Sequence, residues 1–454
     1  MGISKSIIRS PARTAIVGFA LLIFTGTILL MLPAASSGEP VGFVNALFTS
    51  TSAVCVTGLT VVDTGSTYSV FGQFIIMMLI QFGGLGIMTM STLFIMLAGK
   101  RPGLAGQIVV QDAFTHSRDR NILSILKDVF LFTGAIEGVG IVILFFVFLQ
   151  ENSVPRALFL SVFHSISAFC NAGFSVFSDS FVKYRENWVL NLVICFLIIS
   201  GGIGFLVLSE LKRKFIVKHR ALSRLSLHSK IVLSTTFILI FSGMVFILVM
   251  EWSNTLAPLS ISGRFQAALF QSVTARTAGF NTLPIGNMAN ETLFLLILLM
   301  FIGASPGSCG GGIKTTSLAT LVVLGFSRFQ GSDRPLLFNR TISATSVGKA
   351  VSVVLLSAIV ICIGIMLLLI TEIGNVPHSQ SQGQFLELFF EVVSAFGTVG
   401  LSTGITGSLA KMGKVILSMV MFVGRLGPLV VGVAVSRDTV AARYYYAEEP
   451  IMVG

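Results

Sequence analysis

The run Val56-Thr57-Gly58-Leu59 lies between two long apolar segments, and similar runs recur three times further along the chain. The other copies are Asn171-Ala172-Gly173-Phe174, Thr277-Ala278-Gly279-Phe280 and Thr398-Val399-Gly400-Leu401. Their glycines follow one another at intervals of roughly 105 to 120 residues. A fourfold repeat of helix, glycine loop and helix is the plan of a cation pore, in which backbone carbonyls replace the water around an ion.

The similarity between the copies extends into the residues before each glycine. Ser52–Leu59 aligns with Ser167–Phe174 and Ser394–Leu401, and the third copy, Thr274–Phe280, is one residue shorter before its glycine. A second set of aligned motifs follows: Gly83-Gly84-Leu85-Gly86, Gly201-Gly202-Ile203-Gly204, Gly311-Gly312-Ile313-Lys314 and Gly424-Arg425-Leu426-Gly427. In the first two of these copies, the glycines indicate close packing between membrane helices. Four separate tight turns would not account for two motif sets that recur in the same order.

The composition is that of a polytopic membrane protein. Hydrophobic residues make up 54% of the chain and charged residues 11%, whereas soluble domains carry about 25% charged residues. The net charge of +11 would also fit a nucleic-acid-binding protein. Most basic residues, however, lie before the first repeat, between repeats or after the last one, which excludes that interpretation. The positive-inside rule makes this side cytoplasmic, with both termini inside and the glycine loops opening outward.

Eight membrane spans in four pairs are predicted, each pair enclosing a re-entrant half-helix such as Phe43–Cys55 or Phe385–Phe396. Ile16–Leu32 also fits a signal peptide, but its place in the first repeat favours a retained helix. The second span of the third pair is broken at Ser305–Gly312. The predicted spans are Ile16–Leu32, Val70–Ala98, Val129–Leu149, Val189–Leu208, Ile231–Met250, Thr292–Ala304 with Leu318–Phe326, Ala350–Thr371 and Val415–Val435.

The repeats divide the chain into four pore units. They cover residues 1–99, 100–211, 212–327 and 328–454, and the last unit includes a cytoplasmic C-terminus. The fold class is therefore all-α and membrane-integral, with eight transmembrane helices around a pseudo-fourfold central pore.

The glycine loops are predicted to form a filter for a hard cation. Glycine allows consecutive carbonyls to point the same way, and oxygen ligands suit alkali ions. Asp63 and Asp179 follow two of the loops and either concentrate cations at the outer mouth or are ordinary solvated loop residues. The predicted filter residues are Val56, Thr57, Gly58, Asn171, Ala172, Gly173, Thr277, Ala278, Gly279, Thr398, Val399 and Gly400.

Charged residues within the apolar segments are predicted to be paired or neutral. Arg276, three residues before Gly279, is expected to pair with Glu391 or Glu387 away from the pore axis. Glu137 is expensive at membrane depth and is expected to be neutral or paired. The five cysteines form no CxxC pair, which favours small buried hydrophobic residues over metal ligands or disulfides.

The glycine-rich break is predicted to act as a gate. It differs from a phosphate-binding loop because Ile313 separates Gly312 from Lys314 and a membrane helix precedes it. Irregular backbone at membrane depth is tolerated where it is buried or lines a watery cavity. Arg425 lies in the matching region of the fourth repeat. Its guanidinium either donates hydrogen bonds to the loop carbonyls and holds the gate shut, or is a static brace.

An intramembrane enzyme is disfavoured. We expect no Ser/His, HExxH or paired-aspartate constellation at membrane depth, because His164 stands alone in a half-helix and lacks a nucleophile partner.

Together these residues resemble the Trk/Ktr/HKT superfamily of potassium transporters, most closely the KtrB-type membrane subunit of bacterial Ktr systems. The resemblance covers essentially the whole chain. It implies that the filter binds potassium, with Gly58 linked to potassium preference. It implies an intramembrane gating loop at Gly303–Lys314 and a gating arginine at Arg425. The gating residues within the loop are Gly307, Gly310, Gly311, Gly312 and Lys314.

The resemblance also implies partners and a location. It predicts a homodimer in the cell (inner) membrane on a cytosolic, nucleotide-binding ring of KtrA-type subunits, with this chain binding no nucleotide and no nucleic acid. The resemblance also implies that potassium is the transported substrate and that sodium is an activator. Lys212–Lys230 either docks that ring or only sets the topology. The alternative function is a sodium-selective or sodium-coupled carrier of the same fold.

Overall fold

The computed structural model describes residues 11–86, 122–217, 225–332, 334–428 and 430–431, and these residues are mostly helical. The end of the predicted span Val70–Ala98, the basic connections at 87–121 and 218–224, and the chain from 432 onward lie outside the described residues. The main helices are α1 Pro11–Leu30, α2 Phe43–Val54, α3 Val70–Gly84, α4 Ile122–Phe148, α5 Val154–Phe169, α6 Trp188–Ile203, α7 Phe205–Leu211, α8 Leu227–Met250, α9 Ile261–Thr274, α10 Asn290–Phe301, α11 Thr315–Phe329, α12 Ala344–Leu368, α13 Gln384–Gly397 and α14 Lys411–Leu426.

Shorter elements connect these helices. One helical turn covers Thr64–Thr67, and π-helical turns cover Lys212–Val217 and Leu369–Ile373. A two-stranded antiparallel hairpin, which the sequence did not predict, joins β1 Leu336–Leu337 to β2 Arg340–Thr341. The 3-10 turns are Pro33–Ala35, Val182–Tyr184, Ile285–Asn287, His378–Gln380 and Thr406–Ser408.

The helices form four groups that close into a ring. Each group has three helices, and the first helix packs against the second and the third. In the third group the last helix is split into α10 and α11. The third helix of each group also packs against the short second helix of the next group: α3 on α5, α6 on α9, α10 on α13, and α14 back on α2. The short helices therefore lie at the centre, between the groups.

The centre of the molecule is built from equivalent residues of the short helices. Phe48, Phe163, Phe270 and Phe390 each stand four residues before the aligned Ser or Thr of their repeat, and all four are fully buried. The outer helices instead expose large apolar side chains, including Phe237 and Val249. This distribution suits a protein surrounded by lipid, because exposing apolar side chains to hydrocarbon carries no free-energy cost.

Side chains cap the helices that follow each loop. Ser69 and Asn187 accept hydrogen bonds from the first turns of α3 and α6. In the last two groups a carboxylate at the end of the first helix takes this role: Glu251 accepts from Ala289 N at 2.9 Å, and Glu372 accepts from Ala410 N at 3.1 Å. Negative charge at a helix N-terminus is favourable, so these contacts fix where α10 and α14 begin.

The predicted eight spans are tested only in part. Helices occur at all predicted positions within the described residues, and the third group's last helix is broken as expected. The prediction of an unbroken span Val189–Leu208 is wrong, because Gly204, with φ of 98°, separates α6 from α7. By length and composition, three of the described helices could cross a membrane alone, α4, α8 and α12 with its extension; α6 and α7 would make a fourth if their bend of 101° is one broken span. The full eight-span arrangement stays a prediction.

Candidate cation site

The four glycine loops have the same backbone conformation. Two residues before each glycine, a non-glycine residue is left-handed, with φ of 56° at Val56, 59° at Asn171, 66° at Thr277 and 49° at Thr398. The glycines follow with φ between 69° and 92°. Left-handed non-glycine residues are uncommon, and they tend to occur at functional sites where surrounding contacts hold them.

A hydroxyl-bearing residue near the end of each short helix holds its loop. Backbone N–H groups of Thr57, Ala172, Ala278 and Val399 donate to the carbonyls of Ser52, Ser167, Thr274 and Ser394 at 2.7–3.0 Å. The hydroxyls of Ser52 and Ser394 accept from the N–H groups of Gly58 and Gly400, both at 3.1 Å. The loop N–H groups therefore turn toward the helix ends.

The four glycines meet in a closed ring. A Cβ placed on Gly58 would lie 3.0 Å from the Cα of Gly173. The same construction brings Gly173 to 2.9 Å from Gly279, Gly279 to 3.2 Å from Gly400, and Gly400 to 2.9 Å from Gly58. Residues separated by more than a hundred positions thus lie side by side, in the order of the repeats.

The carbonyl oxygens of this ring have no hydrogen-bond donor among the residues that the structure describes. This holds for Val56, Thr57, Gly58, Asn171, Ala172, Gly173, Thr277, Ala278, Gly279, Thr398, Val399 and Gly400. Buried backbone carbonyls are nearly always paired. Twelve such oxygens in one place therefore require another partner, and a dehydrated cation is one that carbonyl oxygens suit.

The glycine-rich break lies against two of the loops and the neighbouring helix α6. Gly311 N donates to Thr398 Oγ1 at 3.0 Å, and a Cβ on Gly310 would collide with the Thr277 side chain. From the same segment, Ser305 N and Cys309 N donate to carbonyls of Gly202 and Gly201 at 3.0 and 3.1 Å. The segment is therefore held directly beside the ring.

Arg425 and Lys314 hold carbonyls of this segment. Arg425 donates to the carbonyl oxygens of Cys309 and Gly83, so it links α14 to the break and to the end of α3. Lys314 Nζ donates to Gly310 O at 2.8 Å. The predicted hydrogen bond from Arg425 to the loop is confirmed at Cys309 O.

The prediction for Arg276 is wrong. Within the described part of the chain it forms no ion pair, and Glu391 instead accepts from Ser402 and Thr406. Arg276 is buried beside a small cavity that Thr236 and Ala304 also line. The reason is positional: the cavity beside Arg276 is lined by α6 and α8, at Ile198 and Ile240 among others, and not by α13.

Glu137 and four of the five cysteines have the surroundings that the sequence predicted, and one cysteine does not. Glu137 accepts a hydrogen bond from Gln81 Nε2 at 3.4 Å and has no ion-pair partner in the described ranges, which fits a neutral carboxyl. Four cysteines are buried, but Cys362 is exposed, because it lies on the outer surface of α12 and not in the core.

Asp63 caps a turn at the loop that follows Gly58. Its side chain accepts from Ser66 N at 2.7 Å and from Ser66 Oγ at 3.0 Å. Although burial favours the neutral form, hydrogen bonds from Ser178, Ser66 and Gly65 lower the pKa of Asp63 below its ordinary value. The residue therefore carries negative charge near neutral pH.

Two contacts escaped the sequence analysis. His164 Nε2 lies 3.1 Å from Ser175 Oγ, so His164 does have a serine neighbour, and Glu391 Oε1 lies 2.5 Å from Ser402 Oγ. Both pairs are separated by 11 residues and span the glycine of their repeat. This common spacing of 11 residues in two aligned repeats is a sequence feature that could have indicated the contacts.

A helical protein whose four repeats meet at a ring of glycine loops with free carbonyl oxygens has the architecture of a membrane cation transporter. Comparison with known proteins agrees: the TrkH family model, described as cation transport protein, matches residues 7–440. The chain belongs to the TrkH family. Proteins of this kind are ion transporters, so the prediction that the chain is not an enzyme is confirmed.

Similar proteins include two named for uptake and one of known structure. Ktr system potassium uptake protein B of Bacillus subtilis is 41% identical over 92% of both chains. Potassium/sodium uptake protein NtpJ of Enterococcus hirae is 37% identical over 98% of this chain and 97% of its own length. The crystal structure of the potassium transporter TrkH from Vibrio parahaemolyticus matches with a TM-score of 0.73 at 18% identity, over 94% of this chain and 85% of that one.

Proposed function

We propose that the chain takes up potassium through the ring of glycine loops. The observation that carries the proposal is the closed contact of Gly58, Gly173, Gly279 and Gly400, with carbonyl oxygens free of hydrogen-bond donors among the described residues. Carbonyl oxygens replace the water lost by a potassium ion. The likeness to Ktr system potassium uptake protein B supports this choice of ion.

The direct test is rubidium flux, with rubidium as the potassium analogue, into liposomes that contain the purified protein. We expect a saturable flux that potassium inhibits at lower concentration than sodium does. A flux that sodium inhibits as well as potassium does would contradict potassium selectivity. Empty liposomes and liposomes with heat-denatured protein are the controls.

The second candidate is a sodium-selective or sodium-coupled carrier, which the name of the Enterococcus hirae relative favours. The same liposomes separate the two functions. Sodium as an activator raises rubidium flux without itself accumulating, whereas a coupled carrier moves labelled sodium in proportion to rubidium. A sodium-selective carrier moves sodium when rubidium is absent.

Arg425 is proposed to hold the gating loop Gly303–Lys314 shut. Its hydrogen bonds reach the loop at Cys309 and the end of α3 at Gly83, so opening the gate must break at least one of them. Gly307, Gly310, Gly311 and Gly312 give the loop its freedom to move, and Lys314 secures Gly310 in the same way.

Arg425→Ala tests this latch. Hydrogen bonds from a charged donor contribute about 1.5–3 kcal/mol each, so rubidium flux without a regulatory partner should rise at least about tenfold. Arg264→Ala is a matched control, because Arg264 also donates to backbone carbonyls, at Leu259 and Ala257, but lies far along the chain from the loop. A variant flux equal to that of the closed wild-type protein would rule out the latch.

The remaining parts of the proposal concern assembly. The protein would lie in the inner membrane and cross it eight times, with both termini in the cytoplasm. The eight spans would belong to four units, which cover residues 1–99, 100–211, 212–327 and 328–454. A homodimer would sit on a cytosolic, nucleotide-binding ring of the KtrA type, with Lys212–Lys230 as a docking surface. Two relatives are named as potassium uptake protein B of a Ktr system, and a lettered protein of a named system supports a partner.

A further inference from the structure

Each short helix carries one polar residue at the same position behind the glycine ring. Thr49, His164, Gln271 and Glu391 stand three residues before the aligned Ser or Thr of their repeats, and all are buried. A buried polar side chain is costly unless it forms hydrogen bonds. Because all four occupy the same position of their short helices, we expect them to share a structural role behind the filter.

In the second and fourth repeats this residue bonds to the chain that leaves the glycine. His164 Nε2 lies 3.1 Å from Ser175 Oγ, and Glu391 Oε1 lies 2.5 Å from Ser402 Oγ. Ser175 and Ser402 are both the second residue after their glycine. Each serine hydroxyl also accepts from the backbone N–H two residues further on, at Phe177 and Gly404, at 3.0 and 2.9 Å. The two repeats thus contain the same three-part connection.

His164 and Glu391 have the same hydrogen-bonding role despite their different chemistry. His164 Nδ1 lies 2.8 Å from Leu160 O, a carbonyl that can only accept, so in the neutral imidazole expected at this buried position Nδ1 carries the proton and Nε2 is an acceptor. The Ser175 hydroxyl therefore donates to His164, as the Ser402 hydroxyl donates to the Glu391 carboxylate. Phe177 stacks on the imidazole at 4.9 Å and helps to exclude water from it.

The two connections lie on opposite sides of the ring. The glycines follow the order Gly58, Gly173, Gly279, Gly400 around it, so the second and fourth repeats face each other. The equivalent pairs of the first and third repeats, Thr49 with Thr60 and Gln271 with Asn281, form no such bond among the described residues. This serine-mediated brace therefore lies along one diagonal of the ring. The second and third loops are also held by the Ser167 and Thr274 hydroxyls, which donate to Phe174 O at 2.8 Å and to Phe280 O at 2.6 Å, whereas no such bond holds the first loop among the described residues.

We propose that His164 and Glu391 are positioning residues that hold the outgoing strands of two opposite glycine loops through Ser175 and Ser402, and thereby set the preference for potassium over sodium. The inference rests on the proposed function. Carbonyl rings discriminate between the two ions by the spacing and the mobility of their oxygens. A loop tied on both sides of its glycine keeps its carbonyls in place, while an untied loop can contract around the smaller ion.

Removing the serine hydroxyls tests the inference with little change in volume. Ser175→Ala and Ser402→Ala should each lower the preference for potassium over sodium, measured by competition with rubidium flux in liposomes, by about three- to tenfold, the usual range for one hydrogen bond. The double variant should lose more than either single one. Ser402→Thr, which restores a hydroxyl, should recover most of the preference.

Thr60→Ala is the matched control, because it removes a hydroxyl at the equivalent position of an unbraced loop. It should keep the wild-type ion preference. Serine variants that lose flux or thermal stability but keep the wild-type ratio of the two ions would overturn the inference, and so would an equal effect of Thr60→Ala. A wild-type protein without any potassium preference would instead refute the proposed function, and the inference would fall with it.

Discussion

At the scale of single residues, the glycines of the ring are the positions least able to change. Gly58 has φ of 92°, and an added Cβ would lie 2.5 Å from Ala172 O and 3.0 Å from Gly173 Cα. Both the backbone conformation and the close approach oppose any side chain. A substitution there must shift the neighbouring loop, and with it the carbonyl oxygens that the ring offers.

Gly58→Ser should weaken the preference for potassium over sodium while leaving a measurable flux. The expected change is at least about tenfold in the ratio of inhibition constants, since a shift in ring geometry of a few tenths of an ångström alters every oxygen contact. Gly38→Ser is the control, because a Cβ at Gly38 meets no atom within 4 Å. An unchanged ratio in the Gly58 variant would contradict the assignment of the filter.

Glycines of the helices divide into two kinds with opposite predicted effects on stability. A Cβ on Gly201 would collide with Phe169 O, whereas one on Gly134 meets nothing within 4 Å. Gly201→Ala should therefore lower the melting temperature in detergent. Gly134→Ala should leave it unchanged or raise it, because alanine is favoured over glycine in helices by about 0.5–1 kcal/mol. Equal melting temperatures for the two variants would show that close packing at Gly201 is unimportant.

The ring residues were predictable because a glycine that recurs four times in the same local context indicates a shared structural role. The prediction failed at Arg276 because the partner of a buried charge depends on which helices surround it, and the repeat pattern does not say that α6 and α8 line this site. His164 and Glu391 were identified singly, and their serine partners were not. Their bonds cross the turn at the glycine, so they became visible only once the loop conformation was known.

At the scale of elements, one carboxylate joins α7 to the start of α8. Glu210 accepts from Ser226 N at 2.9 Å and from Ser229 Oγ at 2.5 Å, and it pairs with Lys214 at 2.7 Å. Burial works against ionisation, but hydrogen bonds from Lys214, Ser226 and Ser229 outweigh it and lower the pKa of Glu210 to about 2. The residue lies beyond the predicted span Val189–Leu208.

This depressed pKa predicts how stability depends on pH. A carboxylate with a folded-state pKa below its unfolded value stabilises the protein above about pH 4.5, and this contribution is lost as the pH falls toward 2. Glu210→Gln should therefore lower the melting temperature at pH 7, and the difference from the wild type should shrink by pH 3. The exposed Glu39→Gln is the control. A difference that is independent of pH would mean that charge at Glu210 is irrelevant.

The ends of helices were predicted correctly from the sequence where a capping residue or a glycine lies at the end. The short helix Phe43–Val54 ends within one residue of its prediction, and the break between α10 and α11 lies where the glycines are. The hairpin of β1 and β2 was missed, because two-residue strands carry no pattern. Its turn uses left-handed Phe338 and Asn339, and only the asparagine is a residue that commonly adopts that conformation.

At the scale of the whole molecule, the order of packing between groups explains why four repeats are needed. Each short helix is held by its own group and by the last helix of the preceding group, so removal of one group would leave a gap in the ring. If each group crosses the membrane twice, as the eight-span prediction has it, alternate connections lie on opposite faces. Those between groups carry most of the basic residues, which the positive-inside rule assigns to the cytoplasm.

Labelling of single cysteines from outside the cell tests this arrangement. Gly38, between α1 and α2, and Asn339, in the hairpin before α12, are both exposed, and they are predicted to lie on opposite sides of the membrane. With Cys362 replaced by serine, the four remaining native cysteines are buried. A membrane-impermeant maleimide should then label Gly38→Cys in intact cells, but Asn339→Cys only after permeabilisation. Labelling of both in intact cells would refute the eight-span topology, since the two sites are separated by an odd number of predicted crossings.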